Sequence, residues 1–264
     1  MAVRLFEGKE HASSYLKYRV TPPEELITKI LTFLKTHNGS LCELGTALLA
    51  PHFTQVVGTD ISPAQLEQAV KHNSAPNISY RECPAEELPF KDGSVDLVTV
   101  FSAFHWFDQP RFLQEADRIL KPRACLAFLN YSMDIELSYG DCSKELNHIC
   151  QEFHNVLLSH QHSYLGPGSR VLYEQTYNSL QYPAKEWEPS YWVRHVVPLS
   201  RYIGMVESFS SYQLLLEKDP EEARRLSTDI TQRLLSVMKV TSIETQVTMA
   251  VHYFYVLACK PSAQ

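Results

Sequence analysis

The chain has 264 residues, a formal net charge of -6 and an apolar share of 44%, enough for a packed core. The acidic balance excludes a global basic field that would draw in nucleic acid or an anionic membrane. No apolar run approaches the roughly 20 residues of a helical membrane span, and residues 1–10 lack the apolar stretch of a signal peptide, so a cytoplasmic protein without nucleic-acid or membrane partners is expected.

In chain order, Thr21 followed by Pro22, Pro23 and Glu24 has the form of a helix N-cap with a first-turn proline. Leu26, Ile27, Ile30, Leu31 and Leu34 then recur at helical spacing. Residues 55–59 form a short apolar strand that ends at Asp60. Ser62-Pro63-Ala64-Gln65 is a second capping box and opens a helix. Residues 78–81 read as a strand, and 95–101 as a strand buried on both faces, because β-branched residues dominate it. Asp108 with Pro110 caps a helix whose apolar face is Phe112, Leu113, Ala116, Ile119 and Leu120, and 124–130 is the next strand. Strands alternating with helices of this length imply a parallel sheet with right-handed crossovers.

After Tyr131 the rhythm changes. Residues 142–159 read as a helix, 165–189 as an irregular stretch rich in Pro, Gly and aromatic residues, and Asp219 caps a strong amphipathic helix. Residues 247–258 close the chain as a strand. The six cysteines (Cys42, Cys83, Cys125, Cys142, Cys150 and Cys259) form no C-x-x-C pair, so no metal site is expected from them and free buried thiols are.

Several segments carry a resemblance. Val57-Gly58-Thr59-Asp60-Ile61-Ser62 resembles the second-strand motif of class I S-adenosylmethionine-dependent methyltransferases. Ala85-Glu86-Glu87-Leu88-Pro89-Phe90, followed by Asp92-Gly93-Ser94-Val95-Asp96, resembles that family's adenine-side loop and fourth strand. Phe101-Ser102-Ala103-Phe104-His105-Trp106-Phe107 resembles the segment after that strand, and Glu115 to Pro122 the helix and turn before the fifth. Tyr15, Tyr18, Arg19 and Pro22 look like the N-terminal arm of the trans-aconitate methyltransferase-like subgroup.

The resemblance implies an α/β fold: a Rossmann-like sheet in the order 3-2-1-4-5-7-6, mostly parallel with an antiparallel last strand, plus a helical lid insert. One domain spans 1–264, with an N-terminal arm and helix (1–38), a cofactor-binding half (39–131), a lid insert (132–190) and closing strands with an amphipathic helix (191–264). The implied cofactor is S-adenosyl-L-methionine. Its implied contacts are Glu43, Gly45, Asp60, Ile61, Ala85, Glu86, Phe101, Ser102, Tyr18 and Arg19. Phe104, His105 and Trp106 would border the acceptor, with His105 the one candidate base. The implied partner is a small-molecule methyl acceptor, for which the subgroup analogy suggests a carboxylic acid.

Each role has a plainer alternative. Asp60 caps a strand, Glu86 is a loop acid, Phe104 and Trp106 pack, His105 is structural, and the arm tyrosines only pin the terminus. An acid closing the second strand would equally suit the ribose of NAD, but no G-x-G-x-x-G precedes Asp60.

Two departures stand out. The family's first strand is followed by a glycine-rich loop that lets the backbone approach the cofactor's methionine part. Here Glu43-Leu44-Gly45-Thr46-Ala47 runs directly toward a helix, about five to ten residues short of a strand–loop–helix unit. Methyl transfer then far below that of an intact relative is expected, or a catalytically inactive methyltransferase-like module. The second departure is Lys121-Pro122-Arg123-Ala124, where the family favours glycines at a turn position of positive φ.

Overall fold

The computed structural model describes residues 17–18, 22–37, 48–160 and 169–262. Helix α1 (Glu24–His37) follows Pro22 and Pro23, with Glu24 and Glu25 in its first turn and Lys35 and His37 in its last, the arrangement its dipole favours. It buries Leu26, Ile27, Ile30, Leu31 and Leu34, the face read from spacing. Thr21 lies outside the described residues. Strand β1 (Val56–Asp60) leads through α2 (Pro63–His72) to β2 (Ile78–Glu82). Strand β3 (Val95–Phe101), α3 (Gln109–Ile119) and β4 (Leu120–Tyr131) follow, then β5 (Glu136–Ser138), α4 (Ser143–Leu158), α5 (Ser169–Ser179) and β6 (Ala184–Pro198). The chain continues through α6 (Leu199–Glu207), α7 (Ser210–Lys218) and α8 (Pro220–Met238) to β7 (Gln246–Cys259).

The caps expected from sequence are in place. Ser62 Oγ accepts from the Gln65 N–H at 3.3 Å, Asp108 from Arg111 at 3.3 Å and Asp219 from Glu222 at 3.0 Å. Each satisfies a donor that a helix start leaves unpaired.

β1 pairs β2 in parallel, with Val56 opposite Ile78 and Asp60 opposite Glu82. In the second sheet β3 pairs β4 in parallel, and β7 runs antiparallel to β4, β5 and β6. β6 pairs along the whole of β7, so β4 and the short β5 share its other edge. β7 is therefore the strand that opposes its neighbours. The neighbour pairs 3-2 and 4-5-7-6 of the expected order are present; residues 40–44, expected as the first strand between them, lie outside the described residues. The fold is a Rossmann-like α/β sheet of class I type.

Alternation along the central strands separates two cores. Cys125, Ala127, Leu129 and Tyr131 of β4, with Val251, Tyr253, Tyr255 and Leu257 of β7, face the core that α1, α4, α6 and α8 cover. Leu126 and Phe128 of β4, with Phe254 and Val256 of β7, face the other core beneath α3 and α5. A strand with helices on both sides must be apolar at successive positions. That is why 95–101 and 124–130 were legible as continuous runs.

Two expectations are corrected. The stretch 165–189 is not irregular throughout: 169–179 is helix α5, which places Tyr173 in the second core, and β6 begins at Ala184. Cys125 and Cys259 are not free thiols; they face each other across β4 and β7 with Cα atoms 4.2 Å apart and form a disulfide. Their separation of 134 residues hides the pair from any spacing rule. At the second departure from the family pattern, Arg123 keeps the turn that favours glycine, at φ +66°. No helix among the described residues is long and apolar enough to cross a membrane.

Candidate functional site

The site is built from the segments that come after β1, β2 and β3. Asp60 ends β1 and is exposed. Its Oδ1 accepts the Ser62 N–H at 2.8 Å, which turns the carboxylate toward the start of α2, and its carbonyl accepts the Cys83 N–H at 3.1 Å. Asn77 anchors the approach to β1 from below, donating to the carbonyls of Ala50 and Phe53 at 2.8 Å each. Gly58 lies under the Tyr80 ring; a Cβ there would stand 2.7 Å from it, so glycine is what lets the ring cross β1.

Burial raises the Cys83 thiol pKa, beyond the opposing effects of Thr59 and Arg81. Cys83 is therefore a neutral group beside Asp60 at pH 7.

The loop after β2 is fixed to α3. Glu86 Oε1 accepts the Asp108 N–H at 2.7 Å, tying the segment after β2 to the segment after β3. Glu115 Oε1 accepts the Leu88 N–H at 2.7 Å. Arg118 donates to the carbonyls of Phe90 (2.8 Å) and Leu88 (3.1 Å) and to the carboxylates of Glu115 and Asp92. Hydrogen bonding from Arg118 holds the Glu115 carboxyl below the usual carboxylate range, and the two acids raise the guanidinium in turn. Ala85 is half-buried against the second core.

At the end of β3, Ser102 has φ +50°, the left-handed region that costs a non-glycine residue about 1 kcal/mol. Its N–H donates to the Leu129 carbonyl at 2.8 Å, which pins the turn to β4. Residues Phe104–Trp106 then form one 3-10 turn. Phe104 is fully enclosed, with ring centroids 4.5 Å from Phe128 and 5.6 Å from Tyr173. In this conformation Phe104 is a packing residue, whereas His105 and Trp106, 4.8 Å apart, stay half-buried at the rim.

The structure thus brings Ala85, Glu86, Phe101, Ser102, His105 and Trp106 to neighbouring loop segments, and Asp60 with Ile61 to the end of β1. Glu43, Gly45, Tyr15 and Arg19 lie outside the described residues. Tyr18 has its ring against Gly204 of α6, where a Cβ would meet it at 2.5 Å, and Arg201 donates to the Lys17 carbonyl at 2.7 Å. Sequence reasoning missed the structural duties of Glu86 and Arg118. An acid and an arginine about thirty residues apart give no periodic signal of a shared loop.

The chemistry of this edge fits a nucleoside-bearing cofactor on the side that is described. A carboxylate at a strand end accepts two hydrogen bonds from a vicinal diol, and the loop after β2 is tied to α3 and its N-cap by the hydrogen bonds of Glu86, Glu115 and Arg118. Among the described residues, no group of three or more His, Cys, Asp and Glu side chains is arranged to hold a metal.

Residues 39–128 match the family model described as a methyltransferase domain. A Dictyostelium discoideum protein, provisionally named a methyltransferase, is 33% identical over 128 residues, covering 46% of this chain and 48% of that one. A Saccharomyces cerevisiae protein, provisionally named an S-adenosylmethionine-dependent methyltransferase, is 29% identical over 147 residues, 52% and 50% of the two chains. The chain spans about half the length of these curated relatives. A solved structure from Anaeromyxobacter dehalogenans, provisionally titled a type II methyltransferase, superposes with a TM-score of 0.70 at 20% identity, over 92% of this chain and 99% of that one. At that identity it speaks for the fold alone, and it agrees with the strand pairs above. Residues 39–128 are thus similar to methyltransferase domains, and the chain has a fold of the class I methyltransferase type.

Proposed function

We propose that the chain binds S-adenosyl-L-methionine and methylates a small molecule in the cytosol. The observation that carries this reading is the exposed Asp60 carboxylate at the end of β1, beside the anchored loop after β2. Asp60 accepts the ribose hydroxyls, with Ile61 against the same sugar. Ala85 and Phe101 flank the adenine. Glu86, through its bond to the Asp108 N–H, positions that wall.

The cofactor, when bound, supplies a methyl group already activated on a sulfonium, so the protein's part is alignment and exclusion of water. Ser102, His105 and Trp106 border the acceptor, and His105 is the one imidazole placed to take a proton from it. The similarity of residues 39–128 to a methyltransferase domain favours this reading over a nicotinamide-dependent oxidoreductase, whose NAD ribose Asp60 would also suit.

A second reading is a catalytically silent module. It is favoured by the shortness of Glu43-Leu44-Gly45-Thr46-Ala47, which leaves few backbone N–H groups for the cofactor's amino-acid end. The two separate by titrating S-adenosylmethionine into the chain and into a variant with a glycine-rich segment inserted between Leu44 and Thr46. Tighter binding and a higher melting temperature on insertion place the deficit in the loop. Micromolar binding by the unaltered chain, with no gain on insertion, refutes that deficit.

A further inference from the structure

A pocket of about 150 Å³ lies past the end of β4, between α4 and α6. Ile135, Leu157, Val206 and Phe209 give it an apolar floor. Cys150 and Tyr202 form a buried polar wall in which hydroxyl and thiol hydrogen-bond each other. Burial pushes the Cys150 thiol up to about 11, so it is protonated at pH 7 and is no nucleophile there. A cavity of this volume takes a group the size of a benzene ring.

The charge at the mouth has one sign. Asp134 and Glu136 line the pocket, and no lysine or arginine does among the described residues. Asp134 accepts from Ser132 Oγ at 2.9 Å and lies 3.5 Å from His154 Nε2. Burial lowers the His154 pKa against the pull of Asp134, so the imidazole does not cancel the carboxylate at pH 7. On the neighbouring helix face Arg233 is engaged by Glu152 at 2.6 Å. Arg170 lies near enough to His252 to act on it, as Asp134 and Glu136 also do, but it does not line the pocket.

We infer that this pocket binds a small organic ammonium ion with a compact apolar body, its charge at Asp134 and its body over Val206 and Phe209. None of Ser102, His105 and Trp106 lines this pocket, so it stands apart from the acceptor region proposed above. A carboxylate ligand is disfavoured in it, because its charge would meet Asp134 without a lining lysine or arginine to offset it among the described residues.

The test uses the full chain without cofactor, titrated by NMR or calorimetry with phenethylamine and separately with 3-phenylpropionate, two probes of similar body and opposite charge. The amine is expected to bind about tenfold or more tightly than the acid, the lower end for a charge-assisted contact. Asp134→Asn, at an exposed position, should remove most of that preference. Gln151→Trp, at the exposed mouth, should block both probes without altering the melting temperature. Equal affinity for the two probes, or no binding of the amine, overturns the inference. A parallel titration with S-adenosylmethionine keeps the two readings apart: cofactor binding without amine binding removes the pocket assignment and leaves the proposed function, and the converse removes only the latter.

Discussion

The two sheets are built to different standards. In β1 and β2 only Val56 and Val57 are buried, and β2 is half-exposed along its length. In the larger sheet every residue of β4 from Ala124 to Tyr131 is buried, and β7 is buried from Tyr253 to Cys259. Stability therefore resides in β3, β4 and β7, while the proposed ribose acid sits on the thinner pair. Elements that close on a ligand come from the less stable part of a fold, and this division puts the thinner pair of strands at the proposed ribose site.

The largest effect expected from that division is at Phe128. It is fully buried among Phe104, Phe112 and Tyr173. Phe128→Ala should cost about 3–5 kcal/mol of unfolding free energy. Tyr80→Ala on half-exposed β2 should cost clearly less in the same denaturant titration. Comparable losses at the two sites would erase the contrast between the sheets.

Next is Arg118, which anchors the loop after β2 through two carbonyls and two carboxylates. Arg118→Ala should lower stability by about 1–2 kcal/mol, discounted for its partial exposure, and should weaken cofactor binding as the adenine wall loosens. A variant that keeps full cofactor affinity would show that the loop holds itself.

The same anchor sets a pH dependence. Glu115 has its folded pKa depressed, first by hydrogen bonding from Arg118, from an ordinary value of 4.5. Its contribution is thus fully present above that ordinary value and is lost as pH falls through the lowered one. Acid unfolding of Glu115→Gln should show a shallower stability loss in that range than the parent. Identical acid profiles would assign the sensitivity to other carboxylates.

Smallest is Arg123, held at φ +66° beside the Pro261 carbonyl, to which its N–H donates at 3.3 Å. Arg123→Gly should stabilise by about 0.5–1 kcal/mol, the relief of the left-handed conformation less the added freedom of the unfolded glycine. A fall in melting temperature would mean that the arginine side chain contributes more than the turn costs.

Legibility followed the same division. Runs buried on both faces (95–101, 124–130, 247–258) and helices with one wide apolar face announced themselves, because their periodicity is set by what covers them. Helix α5 did not: only Tyr173 and Thr176 are buried in it, and Gly166, Pro167 and Gly168 just before it read as loop. Strand β6 was obscured by Pro189, where the pairing with β7 shifts register between Glu188 and Tyr191 and the alternation of faces breaks. At the site, Asp60 was legible because its place at a strand end is local. The link from Glu86 to Asp108, and the packing of Tyr18 on Gly204, depend on which loops fold back, and spacing does not encode that.

The measurement that bears most directly on the ribose assignment is calorimetric titration of S-adenosylmethionine into the chain and into Asp60→Ala. Saturable binding is expected, weakened in the variant by about 1.5–3 kcal/mol, or roughly ten- to 150-fold, as for loss of a charge-assisted contact, with the melting temperature of the apo protein nearly unchanged. Equal affinity in the two proteins, or no binding by the parent chain, would contradict the assignment of Asp60 as the ribose acid.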